Sequence, residues 1–193
     1  MSSNFSKIEE IFEQHLNLLP RVKDNCLEDT LQISKLIANS LNNDATLFFC
    51  GNGGSAADSQ HLAAEFIGRF NKVRKPLKAI SLTTDTSVLT CISNDFNYNH
   101  IFSRQIEGLA KPADVLLVFS TSGESSNILN ALKVANKLKM HTIAFLGKGG
   151  GKAKDLSKKF ILIPSNSTAR IQEMHIFLGH VICELVEFEL GLN

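Results

Sequence analysis

Five short, mostly apolar runs divide this 193-residue chain into segments that each have room for a helix. The runs are Thr46–Cys50, Leu77–Leu82, Val115–Phe119, Thr142–Leu146 and Phe160–Ile163. Because they lack a regular apolar/polar alternation, they predict parallel strands that are covered on both faces. One helical pattern lies between neighbouring runs, or two between Asp85 and Leu109, and a long one from about Thr168 to Leu190 follows the last run. This order predicts an α/β fold with a doubly wound, five-stranded parallel sheet.

Two helical patterns precede the first run, at roughly Phe5–Leu19 and Asn25–Leu41, and Pro20 is expected to end the first of them. We therefore predict two parts, an N-terminal helical pair over residues 1–42 and a single α/β unit over residues 43–193. An amphipathic helix outside the α/β alternation often forms a subunit interface. Capping of the chain's own core is the alternative, and the sequence leaves both open.

The composition is that of an ordinary globular protein, with 44% hydrophobic residues, 20% charged residues and a net charge of +1. A charge so close to zero gives no attraction toward nucleic acid or an anionic membrane, so we expect neither as a partner. The longest apolar runs are too short to span a bilayer, and the polar start MSSNFSKIEE is unlike a signal peptide. Cys50 and Cys183 lie in apolar patterns typical of reduced core thiols, so we expect a cytoplasmic protein.

The first apolar run leads into a glycine-rich loop, Gly51-Asn52-Gly53-Gly54-Ser55, and then into a helix. Glycines let a ligand approach the backbone closely, and the start of a helix offers free N–H groups and partial positive charge to an anion. A tight turn without a ligand explains this loop equally well. The dinucleotide pattern G-x-G-x-x-G is not met because its sixth position is Ala56, and no Gly-Lys-Ser/Thr follows for a P-loop.

A second loop of this kind, Ser120-Thr121-Ser122-Gly123-Glu124-Ser125, follows the third run. Its four hydroxyl groups, next to helix N–H groups, suit a phosphate dianion, although one of them is expected to cap the helix instead. Ligands of open α/β sheets bind at the carboxyl edge of the strands, where both loops would lie. Because neither loop carries a basic residue, the two loops predict an anion site made of hydroxyls and helix dipoles.

His61 and Glu65 lie four residues apart on the helix that begins at the first loop, so they share a face. Such a pair is usually a structural ion pair on a solvated helix, and Arg69 extends the same row. Alternatively, an imidazole and a carboxylate that face a ligand site suit metal binding or proton transfer. The pair alone does not decide between these interpretations.

The C-terminal helical pattern carries Gln172 and His180 among apolar residues, where a histidine needs a partner or a role. A satisfied core histidine is the plain alternative for His180, and His175 is a competing candidate that looks exposed or interfacial. Histidine, glutamate and glutamine side chains together suit zinc, and Fe, Ni or Mn are not excluded. Gln172 and His180 lie about 12 Å apart on a straight helix. Binding one ion from both requires a deviating helix or a site shared between subunits.

Five sequence blocks, in their order along the chain, closely resemble the phosphoheptose isomerases, which are the sedoheptulose 7-phosphate isomerases of the sugar isomerase (SIS) domain superfamily. The blocks are GNGGSAADSQHLAAEFIGRF, SLTTDTSVLTCISND, IFSRQIE, FSTSGESSNIL and TARIQEMHIFLGH. The resemblance extends from about Asn43 to Glu187, whereas the N-terminal helices match in length only. STSG alone would indicate only an SIS domain, but the ordered set is highly specific.

The resemblance implies a flavodoxin-like SIS fold over residues 43–193, a homotetramer with active sites between subunits, and one zinc ion per subunit. The implied metal ligands are His61, Glu65, Gln172 and His180. The implied substrate contacts are Asn52, Gly53, Gly54, Ser55, Glu65, Asn94, Asp95, Ser120, Thr121, Ser122, Ser125 and Gln172. Glu65 and His180 are the implied acid/base pair.

A family member of this kind converts sedoheptulose 7-phosphate to D-glycero-D-manno-heptose 7-phosphate through an enediol(ate), for bacterial heptose biosynthesis. Glu124 departs from the family pattern, because many relatives carry asparagine there and an acid beside a phosphate repels it. We expect the Glu124 side chain to point to solvent. A non-catalytic SIS regulator that binds the replication initiator DnaA is the alternative function, but such a protein lacks the catalytic carboxylate that Glu65 retains here.

Overall fold

The computed structural model describes residues 3–192, which form seven α-helices, one short 3-10 turn and five strands. The helices are α1 (Ser3–Asn42), α2 (Gly54–Ile67), α3 (Thr86–Asp95), α4 (Ser103–Leu109), α5 (Ser126–Lys137), α6 (Gly151–Leu156) and α7 (Thr168–Glu189), and the 3-10 turn is Tyr98–His100. The strands are β1 (Leu47–Gly51), β2 (Ala79–Ser81), β3 (Val115–Ser120), β4 (His141–Leu146) and β5 (Lys159–Leu162). Each strand agrees with its sequence prediction to within two residues at either end.

The five strands are all parallel and lie in the order β2-β1-β3-β4-β5. This is the flavodoxin-like order, so the predicted fold class is confirmed. The chain reverses its direction of travel across the sheet between β1 and β3, where Gly51 pairs with Phe119. The loops that follow β1 and β3 therefore open side by side at the switch point where such sheets bind ligands.

Helices cover both faces of the sheet, which explains why the strands are apolar on both sides. One core contains α1, α2 and α7 and receives strand residues such as Phe49, Phe119 and Phe145. The other core contains α3, α4, α5 and α6 and receives Phe48 and Leu116. As a result α2 and α7, which carry the candidate metal ligands, pack on the same face of the sheet.

The N-terminal helical pair is wrong as a prediction, because residues 3–42 form the single helix α1 with Pro20 inside it. A proline in a helix interior removes one backbone hydrogen bond and crowds the preceding turn. The helix continues because Leu18 and Val22, on either side of Pro20, are both buried in the core that α1 shares with α7. Tertiary burial thus outweighs the local cost of the proline.

The cysteines lie mostly in the interior, as expected from their apolar surroundings. Cys26, Cys50 and Cys183 are buried, Cys91 is exposed, and all four are free thiols. Burial raises the pKa of Cys50 and Cys183, so both thiols stay protonated at neutral pH. Within residues 3–192, none of the helices has the length and apolar character needed to cross a membrane.

Candidate active site

The first predicted loop connects β1 to α2 and packs against α7. Gly53 has a positive φ of 58°, a backbone conformation that favours glycine. A Cβ on Gly54 would lie 2.8 Å from Gln172 Nε2, so the Gln172 amide would have to move to admit a side chain there. Gln172 Nε2 donates a hydrogen bond to Ser55 Oγ over 3.3 Å. The loop is therefore built around the Gln172 amide as well as around the turn.

His61, Glu65 and His180 form a cluster in which one ligand atom from each residue lies within 4.8 Å of the other two. The Nε2 atoms of His61 and His180 are 2.9 Å apart, and Glu65 Oε1 is 3.3 Å from His61 Nε2. Burial lowers the pKa of His180, and His61 lowers it further while Glu65 opposes the shift. A neutral imidazole has the free lone pair that a metal requires. Two imidazoles and one carboxylate therefore fit a zinc ion that keeps a position open for substrate.

Gly179 allows the two helices of this cluster to meet. It precedes His180 in α7, and a Cβ at this position would lie 2.6 Å from Leu62 Cδ1 in α2. Leu62 follows His61 and is buried in the core. The missing side chain therefore brings α2 and α7 close enough for the two imidazoles to touch. A lone glycine inside a helical pattern was the sequence signal for such a contact, and the sequence interpretation did not use it.

Gln172 lies apart from the cluster within one chain, since its amide bonds to Ser55. Helix α7 runs unbroken from Thr168 to Glu189, so the eight residues from Gln172 to His180 span about 12 Å along its axis. The expected deviation of the helix between these residues is absent from the described chain. A site shared between subunits stays a prediction.

His175 is not the exposed or interfacial residue that its position in the sequence suggested. It is completely buried, packs against the rings of Phe119 and Phe145 in tilted and edge-on contacts, and pairs through Nε2 with the carbonyl oxygen of Leu146. Burial lowers the pKa of His175 to about 4, and the bond to Leu146 only partly opposes that shift. The neutral core histidine of α7 is thus His175, while His180 lies half-buried in the cluster.

The second predicted loop is held open by two of its own hydroxyls. Ser120 Oγ accepts from the Gly123 N–H over 3.1 Å, and Ser122 Oγ accepts from the Glu124 N–H over 3.2 Å. Ser125 precedes α5 without making a side-chain capping bond. The expectation that one hydroxyl caps the helix is therefore not met for Ser125, whose hydroxyl stays available at the helix N-terminus.

Glu124 is exposed but does not simply point to solvent. Its carboxylate accepts from the Lys152 backbone N–H and from Lys152 Nζ, both over 3.0 Å. These bonds hold the pKa of Glu124 below its usual value. The glycines before Lys152 make this contact possible, since a Cβ on Gly151 would lie 2.6 Å from the Ser122 carbonyl oxygen. The negative charge beside the loop is thus paired with a lysine from α6.

The two loops are joined by an amide pair that the sequence did not reveal. Asn52 and Asn127 exchange hydrogen bonds over 3.0 and 2.8 Å, and the Tyr98 hydroxyl donates to Asn52 Oδ1 over 3.0 Å. Asn127 is buried in the first turns of α5. The expected substrate contact of Asn52 stays a prediction, and in the described chain Asn52 holds the two loops together through Asn127.

Asn94 and Asp95 lie at the exposed end of α3. Asn94 Nδ2 donates to Asp95 Oδ1 over 2.9 Å, and neither side chain hydrogen-bonds to either loop within residues 3–192. Their assignment as substrate contacts stays a prediction.

Asp58 is a further acidic group near the cluster, one turn before His61 on α2. Its Oδ2 is buried and has no hydrogen-bond partner within residues 3–192. Burial raises the pKa of Asp58 to about 6, against a smaller lowering by His61. The sequence analysis did not single out this residue, because its burial depends on the packing of α2 and not on the local pattern.

The fold and the loops define a class of protein that comparison with known sequences also supports. A family model described as "SIS domain" matches residues 10–147 of the chain. The chain is therefore an SIS-domain protein, in agreement with its flavodoxin-like sheet.

Closer relatives narrow the class. A phosphoheptose isomerase of a Nitratiruptor species is 47% identical over 180 residues, which are 93% of this chain and 96% of that protein. A phosphoheptose isomerase of Aquifex aeolicus is 45% identical over 94% of this chain and 95% of that protein. The solved phosphoheptose isomerase structure from Neisseria gonorrhoeae has a TM-score of 0.92 at 39% identity, covering 96% of this chain and 100% of that chain. The chain belongs to the phosphoheptose isomerase family.

Proposed function

We propose that this chain interconverts sedoheptulose 7-phosphate and D-glycero-D-manno-heptose 7-phosphate in bacterial heptose biosynthesis. The observation that carries the proposal is the convergence of His61, Glu65 and His180 on α2 and α7. Helix α2 begins at one of the two loops that are predicted to bind an anion. The regulator alternative has no need for this cluster.

The loop after β3 is the proposed phosphate site, with contacts from Ser120, Thr121, Ser122 and Ser125 and from the free N–H groups of α5. Donors fixed in place stabilise a dianion without an ordering cost on binding. Support comes from the hydroxyl of Ser125, which is not used for capping. The remaining proposed contacts to the sugar are Asn52, Gly53, Gly54, Ser55, Asn94, Asp95 and Gln172.

Glu65 is the proposed base that takes the C1 proton of the open-chain ketose, and His180 moves protons between the substrate oxygens. Glu65 also belongs to the proposed ligand set, and a carboxylate has two oxygens, so one can contact a cation while the other accepts a proton. His180 is neutral near pH 7 because its pKa is lowered, which allows it to accept and return a proton. A zinc ion bound here would supply a Lewis acid that polarises the substrate carbonyl.

Replacement of Glu65 by glutamine tests the base assignment. The amide that replaces the carboxylate keeps a carbonyl oxygen for a metal but cannot accept the C1 proton, so we expect kcat to fall by about 10²- to 10⁴-fold with the fold intact. The assay follows conversion of sedoheptulose 7-phosphate to the aldoheptose phosphate before and after chelation, with circular dichroism as the control for folding. A kcat near that of the wild type would refute the base role, and a wild-type protein inactive in both metal states would refute the enzyme function.

We also propose a homotetramer, supported by large apolar side chains left exposed on α1. Phe5 and Phe12 are 64% and 65% exposed, and soluble monomers rarely present contiguous patches of this kind. A groove of about 730 Å³ between α1 and α7, lined by Leu27, Phe177 and Val181 among others, offers a surface for a second copy. Light scattering that gives a monomer mass at micromolar concentration would contradict this assembly.

Three buried free thiols favour a reducing, cytoplasmic location.

Within such a tetramer, we propose that Gln172 completes the metal site of a neighbouring copy, because one unbroken helix separates it from His180 by about 12 Å. Co-expression of chains carrying Gln172→Ala with chains carrying His180→Ala should then restore activity that neither variant has alone. Activity that stays absent in the hybrid would place both ligands in one subunit.

A further inference from the structure

The last turn of α2, which carries Glu65, is bound by the side chain of Arg74, a buried group in the segment after the helix. Arg74 Nη2 donates to the Glu65 carbonyl oxygen and Nη1 to the Phe66 carbonyl oxygen, each over 2.9 Å. The last carbonyls of a helix have no partner within the helix, so a donor from outside must satisfy them. The Arg74 side chain is only 3% exposed. A rigid guanidinium with two of its donors on successive carbonyls therefore fixes where this turn lies.

Arg74 is held in turn by α7. Its Nε donates to Glu187 Oε1 over 2.7 Å, and the Glu187 side chain is 1% exposed. Glu187 also accepts from the backbone N–H groups of Phe70 and Asn71, over 3.0 and 3.2 Å. Burial alone would raise the pKa of Glu187, but the bonds from Phe70, Arg74 and Asn71 outweigh it and keep the carboxylate charged. The charge and the hydrogen bonds of this buried pair thus link α2, the segment after it and α7.

The same link reaches His180 by a second route. His180 lies seven residues before Glu187, so the two side chains project from the same face of α7. Glu187 binds the backbone N–H of Phe70, and the centroid of the Phe70 ring lies 5.4 Å from that of the His180 ring. Arg74 therefore holds the backbone of Glu65, and Glu187 holds the residue that packs on His180.

We propose that Arg74 and Glu187 are positioning residues that set the distance between the Glu65 carboxylate and the His180 imidazole. The proposal rests on the proposed roles of Glu65 and His180 in proton transfer and metal binding. It assigns no contact with substrate to the pair. Because the proposed phosphate-binding loop belongs to β3 and α5, loss of the pair should impair the reaction step and metal affinity more than it impairs substrate binding.

A single substitution would leave one buried charge without a partner and unfold the chain for trivial reasons. The test is therefore Arg74→Met/Glu187→Gln, which removes both charges, nearly keeps the volume and leaves one amide oxygen that can still accept from one of the Phe70 and Asn71 N–H groups. Replacement of a complete buried pair by neutral residues is often tolerated. Removal of residues that orient ligands typically costs about 10- to 100-fold in metal affinity or activity. We therefore expect kcat, and the zinc affinity measured by titration calorimetry, to fall by about 10- to 100-fold. KM should change by less than about threefold, because the pair makes no proposed contact with substrate.

The matched control is Asp44→Asn/Lys78→Met, which removes an exposed ion pair between the end of α1 and β2 and should change neither quantity. Wild-type kcat and zinc affinity in a folded Arg74→Met/Glu187→Gln protein would make the pair purely structural and overturn the proposal. If that variant does not fold, Phe70→Leu tests the same link without touching the charges, and an unchanged kcat there overturns the proposal equally. Glu65→Gln is measured in parallel. If that variant is active, the proposed base is refuted. If it is inactive while the Arg74→Met/Glu187→Gln protein is fully active, only the positioning role is refuted.

Discussion

Gly179 is the position where one methyl group should separate the two candidate metal-binding helices. A Cβ at Gly179 would lie 2.6 and 2.9 Å from the two methyl carbons of Leu62, whereas carbon atoms in contact lie about 3.5–4.0 Å apart. Leu62 is 1% exposed and enclosed in the core, so its side chain has no free space to swing into. Gly179→Ala should therefore move α2 and α7 apart by about 1 Å.

The expected loss of stability is small because two effects oppose each other. Overpacking of a core typically costs about 1–3 kcal/mol, and alanine is favoured over glycine in a helix by about 1 kcal/mol. The free energy of unfolding should thus fall by about 0–2 kcal/mol, the difference of these two ranges. Activity should respond more strongly, since a misplacement of about 1 Å can cost about 10²-fold in rate.

The assay compares kcat, zinc affinity and thermal unfolding of Gly179→Ala with those of Gly108→Ala. Gly108 lies in α4, and an added Cβ there meets nothing within 4 Å, so this control should be more stable by about 0.5–1 kcal/mol and equally active. A Gly179→Ala protein with wild-type kcat and zinc affinity would refute the inference that close helix contact assembles His61 and His180.

Two further predictions concern charges near the site and in the core. Lys152→Met leaves the Glu124 carboxylate without its lysine beside the phosphate loop, so KM should rise. The rise should be only about two- to fivefold, because the charge is exposed and screened by solvent. Adding Glu124→Gln to the same chain should restore the wild-type KM, and steady-state kinetics that show no such rescue would contradict the pairing. Burial lowers the pKa of His175 to about 4 in the folded state, whereas the pKa in the unfolded chain is about 6.5. The contribution of neutral His175 to the free energy of unfolding is therefore complete above about pH 6.5. It falls by up to about 1.4 kcal/mol per pH unit as the pH drops toward 4. Asp58 has its pKa raised to about 6, so its protonation makes the folded state more stable as the pH falls through this range, which opposes the effect of His175. The difference in urea unfolding between the wild type and His175→Gln over this pH range isolates the histidine, and parallel pH curves would contradict its burial as a neutral group.

The sheet was predictable from the sequence because its signal is local. Five apolar runs of strand length, separated by helical patterns, admit few arrangements other than a doubly wound parallel sheet. The loops at the ends of β1 and β3 were predictable for the same reason, since their glycines and hydroxyls follow the strands directly. The N-terminal helix failed as a prediction at Pro20 because local propensity favours a break, while burial of Leu18 and Val22 against α7 decides the outcome.

The spacing of His61 and Glu65 on one helix face follows from the helical repeat alone, so the sequence determined that this pair shares a face. The sequence did not determine which histidine of α7 meets them. His175 and His180 lie in equally apolar surroundings along the chain. Only the packing of α7 on the sheet buries His175 against two phenylalanines and directs His180 toward α2.

What the sequence by itself determined is thus the fold class, the family resemblance and the residue types at the loops, because each depends on patterns within short stretches of chain. The tertiary structure decided how distant residues meet: Asn52 with Asn127, Arg74 with Glu187, and His61 with His180. These contacts join residues at least 75 positions apart. Their formation depends on the approach of whole helices, which a glycine such as Gly179 permits but no local pattern specifies.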